Sequence, residues 1–338
     1  MEQREKVIGV HKELKELKGI KKIHFVGIGG AGMSPLAKMM VELGYEVSGS
    51  DREDSGIIEK LRQMGAKITL GGQKAENVRG VDAIVVCGTT GEASTLTPEE
   101  REALIRHMVA YCAGRCKVIA GVGTNSTAQS VRLARQAEAC GADALLAVTP
   151  YYNKASQEGL AAHYFAIADA VQLPLIAYNV PSRTGVNLKP ETCRLLSTHP
   201  RINGVKEAGG DISQVAHILN LCGEDFNVWS GNDDQIVPIL ALGGVGVISV
   251  LSNVAPTQTH EICQKFFDGD VAGSRQMQLD AMDLCNALFC EVNPIPVKKA
   301  LNLMGWQAGP LRMPLTEMTE AHTAQLAKEL EAFGIKLA

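Results

Sequence analysis

The stretch Ile202-Asn203-Gly204-Val205-Lys206-Glu207-Ala208 decides how the rest of this sequence is interpreted. It is typical of a short buried strand that carries one lysine near its C-terminal end. Burying a lysine as a cation is costly, so Lys206 indicates an amine whose pKa is lowered for chemistry. A lone lysine after a strand is more often a solvated surface charge, so the interpretation depends on its companions.

Those companions lie on the preceding predicted strand and in the turn after it. The apolar segment Leu175–Asn179 contains Tyr178, and the turn at residues 180–185 contains Arg183. Parallel α/β folds build their active sites at the C-terminal ends of strands. The sequence therefore predicts a phenol, a guanidinium and an amine at one edge of a sheet.

Six stretches of the chain, in their order and spacing, carry a resemblance to a known family. They are Gly88-Thr89-Thr90-Gly91-Glu92, Thr149-Pro150-Tyr151-Tyr152-Asn153, Tyr178-Asn179-Val180-Pro181 with Thr184, Gly204-Val205-Lys206-Glu207-Ala208, Gly246-Val247-Ile248-Ser249 and Asn293-Pro294-Ile295-Pro296-Val297-Lys298. Together they resemble the dihydrodipicolinate synthase and N-acetylneuraminate lyase family, from about residue 82 to the C-terminus. The resemblance implies a (β/α)8 barrel followed by C-terminal helices.

The same resemblance implies a chemistry, the condensation of pyruvate with L-aspartate 4-semialdehyde to 4-hydroxy-tetrahydrodipicolinate through a Schiff base. This reaction belongs to lysine and diaminopimelate biosynthesis. Lys206 would be the nucleophile, because a neutral amine attacks a ketone and a barrel interior supplies the necessary desolvation. Tyr178 would be the acid/base, with Thr89 and Tyr152 as its relay.

Substrate binding and assembly follow from the resemblance as well. Thr90 would hold the pyruvate carboxylate, the Ile248 backbone would lie close to the ketoacid, and Arg183 would grip the carboxylate of the aldehyde. Tyr152 would reach the site of a neighbouring subunit, which implies a homodimer or homotetramer. The expectation is covalent catalysis through Lys206, with no metal and no cofactor.

A different pattern opens the chain. The apolar segment at residues 23–26 runs into a G-x-G-x-x-G loop, a predicted helix and a second strand that ends on Asp51, about twenty residues after the glycines. In such an arrangement, backbone amides approach a diphosphate and the carboxylate accepts a ribose hydroxyl. The predicted ligand-binding residues are Gly27, Gly29, Gly30, Gly32, Ser34 and Asp51. The alternative is a glycine-rich turn that only packs a helix against a sheet.

Residues 15–86 resemble the N-terminal domain of UDP-N-acetylmuramate–alanine ligase, in which this domain holds the UDP part of the substrate rather than NAD. Ligases of that kind continue with an ATP-binding P-loop, and the sequence contains no G-x-x-x-x-G-K-[ST]. A UDP-type ligand is therefore expected in this module, and ATP-dependent ligase activity is not.

The two resemblances meet at residues 82–86, which fit both a fourth strand of the ligase-like sheet and the second strand of the barrel. The first βα unit of the barrel, about thirty to forty residues, is absent. In a sheet of order 3-2-1-4, the strand at residues 23–26 would lie beside residues 83–86, where the missing strand belongs. Because the two sheets compete for this edge, we expect either a closed barrel with a frayed small sheet or an intact small sheet with an open barrel.

The predicted organisation is a Rossmann-like module at residues 1–82, a barrel lacking its first unit at residues 83–255 and a helical segment at residues 256–338. A chain of 338 residues fits two domains, and its net charge of −4 gives no reason to expect nucleic acid as a partner. The nine cysteines show no zinc-like spacing. Without a visible signal peptide or an apolar run of ~18 residues, a cytoplasmic protein with no membrane partner is expected.

Three other interpretations are left open by the sequence. The barrel residues also suit another pyruvate-dependent aldolase of the same family, which a panel of aldehyde acceptors would distinguish. A catalytically inactive chain that retains only UDP-sugar binding is the second, and an accidental junction of two coding sequences is the third.

Overall fold

The computed structural model describes residues 22–26, 46–51, 56–64, 67–70 and 82–338. The chain divides into two compact units, Met1–Arg79 and Gly80–Ala338. No helix among the described residues is long and apolar enough to cross a membrane. All nine cysteines lie in the second unit and are free thiols, six of them buried.

The first unit contains a three-stranded parallel sheet of order β1-β2-β3. Its elements are β1 (Lys22–Val26), β2 (Glu46–Asp51), α1 (Gly56–Gln63) and β3 (Lys67–Leu70). This is the order of the first three strands of a doubly wound sheet. The predicted ligand-binding residues Gly27, Gly29, Gly30, Gly32 and Ser34 lie outside the described residues, and Asp51 is the last residue of β2.

The second unit is built on seven parallel strands that follow one another in chain order. They are β4 (Ala83–Val86), β5 (Lys117–Gly121), β6 (Ala144–Val148), β7 (Leu175–Asn179), β8 (Ile202–Glu207), β9 (Asn227–Ser230) and β10 (Gly246–Val247). The helices between them are α2 (Pro98–Cys112), α3 (Thr127–Ala139), α4 (Gln157–Asp169), α5 (Pro181–Thr184), α6 (Pro190–Leu196), α7 (Ile212–Cys222) and α8 (Ile236–Ala241). All five residues of β7 are buried, as expected for a parallel strand covered on both faces.

Local sequence explains where several of these helices begin. Thr97 and Glu100 form a reciprocal capping box at the start of α2, with the Thr97 side chain accepting from the Glu100 amide. Ser156 accepts from the Gly159 amide at the start of α4. Because each cap satisfies an amide that the first turn leaves unpaired, the cap sets the residue at which the chain leaves the loop.

The position of β4 decides the ambiguity at the junction. β4 pairs with β5 in the seven-stranded sheet, with Ile84 opposite Val118, and does not continue the sheet of β1–β3. The expected pairing of residues 23–26 with β4 stays a prediction, and within the first unit β1 pairs with β2.

The barrel is open in the part of the chain that the structure describes. β4 and β10 are the two edge strands, and neither pairs on its outer side. An eight-stranded barrel closes by pairing its first strand with its last, so among the described strands a gap remains between these edges. The structure contains both the three-stranded sheet of the first unit and the seven-stranded sheet of the second.

The C-terminal helices belong to the same compact unit as the sheet. They are α9 (Pro256–Phe267), α10 (Val271–Asp280), α11 (Met282–Ala287), α12 (Ile295–Leu303) and α13 (Glu320–Ala332). Leu284 and Leu288 pack with Leu326 and Leu330 and with Leu251, which follows the last strand. This apolar cluster fixes the C-terminal segment against the loop after β10.

Candidate active site

Two neighbouring strands place the predicted lysine and tyrosine side by side. Tyr178 on β7 and Lys206 on β8 are directly paired in the register of the sheet. The Nζ atom of Lys206 lies 4.4 Å from the centre of the Tyr178 ring. Alternate residues of a strand face the same side, so Tyr178 shares its face with Ile176, which packs in the same apolar cluster.

Burial changes the proton affinity of Lys206. Desolvation lowers the pKa of its ammonium group to about 8, Asp233 opposes this shift, and Arg183 adds to it. A larger fraction of the amine is therefore neutral near pH 7 than for an ordinary lysine. Burial thus moves Lys206 toward the neutral form that attacks a ketone.

The environment of Tyr178 acts in the opposite direction. Burial raises the pKa of the phenol, and this shift is partly offset by the charge of Arg183 and by a hydrogen bond with the Thr89 side chain. Tyr178 therefore stays protonated at neutral pH and can donate a proton. The structure brings together Tyr178 and Thr89, two members of the predicted relay.

A residue from the C-terminal segment joins two of the predicted substrate contacts. The side-chain amide of Asn293 donates to Thr90 Oγ1 over 3.0 Å, and the backbone carbonyl of Asn293 accepts from Arg183 Nη2 over 3.2 Å. Asn293 is 6% exposed. From the sequence, Asn293 was identified only as part of a family stretch. Its contacts could not be predicted because Arg183 lies 110 positions and Thr90 lies 203 positions before it in the chain.

An ion pair fixes the same C-terminal segment to the loop after β4. Lys298 on α12 and Glu92 are 2.7 Å apart and both are largely buried. The Arg312 amide donates to the other Glu92 oxygen over 2.8 Å, and these contacts lower the pKa of the Glu92 carboxyl against the effect of its burial. The two contacts hold the C-terminal segment against the loop after β4, which carries Thr89 and Thr90.

The loops after β9 and β10 also contribute residues to the site around Lys206. The Ile248 amide donates to the Ser230 carbonyl over 2.9 Å, which fixes the backbone where the ketoacid is expected. A Cβ added at Gly231 would lie 3.0 Å from Lys206 Cε and 2.6 Å from Ala208 Cβ. Gly231 was missed by sequence reasoning, and its signal was its place directly after a predicted strand.

A buried polar network lies on the residues adjacent to the lysine and tyrosine. The Asn179 amide donates to both oxygens of Glu207, at 3.1 and 3.0 Å, and the Gly209 amide donates to Oε1 over 2.6 Å. Gln214 on α7 donates to Oε2 over 3.2 Å. Since Asn179 follows Tyr178 and Glu207 follows Lys206, the network holds the ends of β7 and β8 in register.

Tyr152 stands apart from this cluster in the single chain. Its side chain is 88% exposed, and its backbone has a φ of 73°, in the left-handed region. Its predicted contribution to a neighbouring subunit stays a prediction. No group of three or more histidine, cysteine or acidic side chains among the described residues is arranged to hold a metal ion.

The lowered pKa of Lys206 predicts how its reaction with a ketoacid depends on pH. Because only the neutral amine attacks, the initial rate of borohydride trapping with pyruvate should rise with pH and level off above about 8. Intact-mass spectrometry after short incubations across pH 6–10 would measure the profile. A rate that still rises steeply near pH 10 would mean that Lys206 titrates as an ordinary lysine.

Comparison with known proteins places both parts of the chain. The profile of the Dihydrodipicolinate synthetase family matches residues 77–333, and that of the Mur ligase family, catalytic domain, matches residues 22–110. The two matches overlap over residues 77–110, which include β4. This overlap supports the interpretation of the chain as a fusion.

Individual relatives agree with the larger match. The 4-hydroxy-tetrahydrodipicolinate synthase of Lachnoclostridium phytofermentans is 53% identical over 76% of this chain and 87% of its own length. The dihydrodipicolinate synthase structure from Thermotoga maritima has a TM-score of 0.75 and 44% identity, and it covers 77% of this chain and 92% of its own. The chloride-inhibited enzyme of Acinetobacter baumannii, solved as a complex with pyruvate, has a TM-score of 0.74 and 43% identity over 76% of this chain and 88% of its own. From residue 77 to residue 333, the sequence and the parallel α/β architecture agree, and the chain belongs to the dihydrodipicolinate synthetase family.

Proposed function

We propose that this chain condenses pyruvate with L-aspartate 4-semialdehyde to 4-hydroxy-tetrahydrodipicolinate, through a Schiff base at Lys206. The observation that carries the proposal is the pairing of Lys206 with Tyr178, an amine of lowered pKa beside a phenol of raised pKa. The activity of the named relatives supports it.

The chemistry begins with attack of neutral Lys206 Nζ on the C2 carbonyl of pyruvate. The carbinolamine then loses water, and one proton is consumed overall as the neutral amine and ketone become a cationic iminium. Tyr178 supplies a proton to the departing oxygen, and Thr89 relays its replacement. Removal of a proton from the pyruvate methyl group, through the Tyr178–Thr89 relay, gives the neutral enamine. Its carbon bonds to the aldehyde carbon as the carbonyl π bond breaks and the aldehyde oxygen takes a proton. The amino group of the semialdehyde then displaces Lys206 Nζ from the regenerated iminium, which closes the ring and frees the lysine.

The gap in the barrel affects the proposed contacts unequally. Tyr178 and Lys206 lie on interior strands with a partner on both sides. Thr89 and Thr90 follow β4 and Ile248 follows β10, and these are the two edge strands. We therefore propose that the gap weakens binding of the pyruvate carboxylate more than it weakens formation of the Schiff base.

The test is borohydride trapping with pyruvate, read by intact mass, followed by turnover with the semialdehyde and with other aldehydes. A pyruvate-sized adduct and turnover of the semialdehyde are expected. An adduct without semialdehyde turnover, but with turnover of another aldehyde, would favour a different pyruvate aldolase. A folded protein that forms no adduct would contradict the proposal.

Arg183 provides a prediction about the second substrate. Arg183 is an exposed residue on α5, and its Nη2 donates to the backbone carbonyl of Asn293. Arg183→Ala should raise the KM for the semialdehyde by about tenfold or more, because a charge-assisted contact to its carboxylate is lost. Steady-state kinetics would measure this, and an equal rise in the KM for pyruvate would argue against a specific grip on the aldehyde.

Two further elements of the proposal concern assembly and the first unit. We propose a homodimer or homotetramer in which the exposed Tyr152 enters the site of a neighbouring subunit.

The Mur ligase match over residues 22–110 favours binding of a UDP-type ligand as a second candidate function. Titration with a UDP-sugar should detect it, and Asp51→Ala should weaken it if this carboxylate holds the ribose.

A further inference from the structure

Asp233 is a buried carboxylate that the proposed mechanism does not use. It begins the short 3₁₀ turn Asp233–Gln235 after β9 and is 1% exposed. Its Oδ2 accepts from the Val250 and Leu251 amides over 3.0 and 2.9 Å, in the loop after β10. These two donors fix the carboxylate in place.

The second oxygen of this carboxylate is less well paired. No donor among the described residues meets hydrogen-bond geometry with Oδ1, although the Ser249 hydroxyl is near enough to lower the pKa of the carboxyl group. Burial raises that pKa, and the backbone donors and Lys206 oppose the shift. Since burying a carboxylate with one poorly paired oxygen is costly, a cationic partner accounts for Asp233 better than its amide contacts alone.

The loop that carries Asp233 lies against the side chain of Lys206. The Gly231 amide donates to the Glu207 carbonyl over 2.7 Å, and a Cβ at Gly231 would lie 3.0 Å from Lys206 Cε. Among the described residues, the Tyr178 ring on β7 lies 4.4 Å from Lys206 Nζ, and the charges that act on Lys206 are those of Asp233 after β9 and Arg183 on α5. Asp233 is the one negative charge among them, and Arg183 opposes it.

We propose that Asp233 is the counter-charge of the cation that forms at Lys206 Nζ during the reaction. This inference rests on the proposed function. Formation of the iminium consumes one proton and releases water, so a neutral nitrogen becomes positive within a partly buried site that already faces Arg183. A fixed carboxylate stabilises this charge without touching the substrate, which makes Asp233 a positioning residue.

Two effects of opposite sign follow from removing this charge. The ammonium form of Lys206 loses its counter-ion, so its pKa falls and the neutral amine that attacks pyruvate forms at a lower pH. The iminium loses the same counter-ion, so the adduct becomes weaker. Damage to the fold alone would weaken the adduct without moving the pH midpoint downwards.

The experiment is borohydride trapping of pyruvate across pH by Asp233→Asn, whose side-chain oxygen can still accept from both amides. The midpoint of the pH profile should fall by about one unit, and half-maximal trapping should need about tenfold more pyruvate. Asp234→Asn, the same change at the exposed neighbouring position, should change neither value. Asp233→Ser provides a second neutral variant, and circular dichroism checks that each variant is folded.

The outcomes separate this inference from the proposed function. If the parent chain forms the pyruvate adduct but the pH midpoint of trapping is the same in the Asp233 variants, the inference is overturned and the proposed function is not. Unfolding of both neutral variants would assign Asp233 to the fold and overturn it too. A parent chain that is not trapped at any pH overturns the proposed function and this inference with it.

Discussion

Lys206→Ala should abolish the pyruvate adduct and lower turnover by about a thousandfold or more. Lys206 Nζ is the only amine that the structure places beside the Tyr178 ring in the described part of the chain, at 4.4 Å. Removal of the amine leaves no nucleophile for the ketone, so the covalent route is lost rather than slowed. Intact mass after borohydride reduction measures the adduct, and a coupled assay measures turnover.

The matched control is Lys328→Ala on the last helix. Its side chain is 80% exposed and pairs only weakly with Glu329, at 3.6 Å. This variant should keep the adduct and the turnover of the parent chain. A pyruvate-sized adduct that persists in Lys206→Ala would place the Schiff base on another amine and remove the basis of the proposed mechanism.

Gly204→Ala should destabilise the second unit by about 3 kcal/mol. A Cβ at this position would lie 2.3 Å from the Asn227 carbonyl oxygen and 2.5 Å from Cζ3 of Trp229. The obstacle is backbone on the paired strand β9 together with a rigid ring, so neither can move away cheaply. Urea unfolding followed by circular dichroism would give the free energy of unfolding.

Gly159→Ala is the control for that substitution. Gly159 lies in the first turn of α4, and an added Cβ would meet only ordinary contacts, at 3.4 Å from Ser156 Oγ and 3.5 Å from Ala155 Cβ. The free energy of unfolding should stay level or rise by up to about 1 kcal/mol, since alanine favours a helix over glycine. Equal changes in the free energy of unfolding for the two substitutions would show that the close approach of β9 does not exclude a side chain at position 204.

The open edge of the barrel makes the two steps of the reaction separable. The lysine and tyrosine are held by complete strand pairing and by the Asn179–Glu207 network, whereas the threonines follow an edge strand. A chain of this kind is expected to form the Schiff base at raised pyruvate concentrations. The pyruvate concentration that gives half-maximal trapping would measure this effect.

Several features of this protein followed from the sequence because they are local. Strand and helix periodicity predicted the succession of β and α elements, since each pattern depends on residues only a few positions apart. Tyr178 and Lys206 were predicted at strand ends because each belongs to a short apolar run with a polar end. The family and the fusion followed from contiguous motifs for the same reason.

What the tertiary structure decided depends on residues far apart in the chain. β4 could join either sheet by its own sequence, and only pairing with β5 assigned it to the barrel. The contacts of Asn293 with Thr90 and Arg183, and of Asp233 with the loop after β10, could not be predicted from the sequence. The pKa of Lys206 likewise depends on burial and on the charges around it, which no sequence window contains.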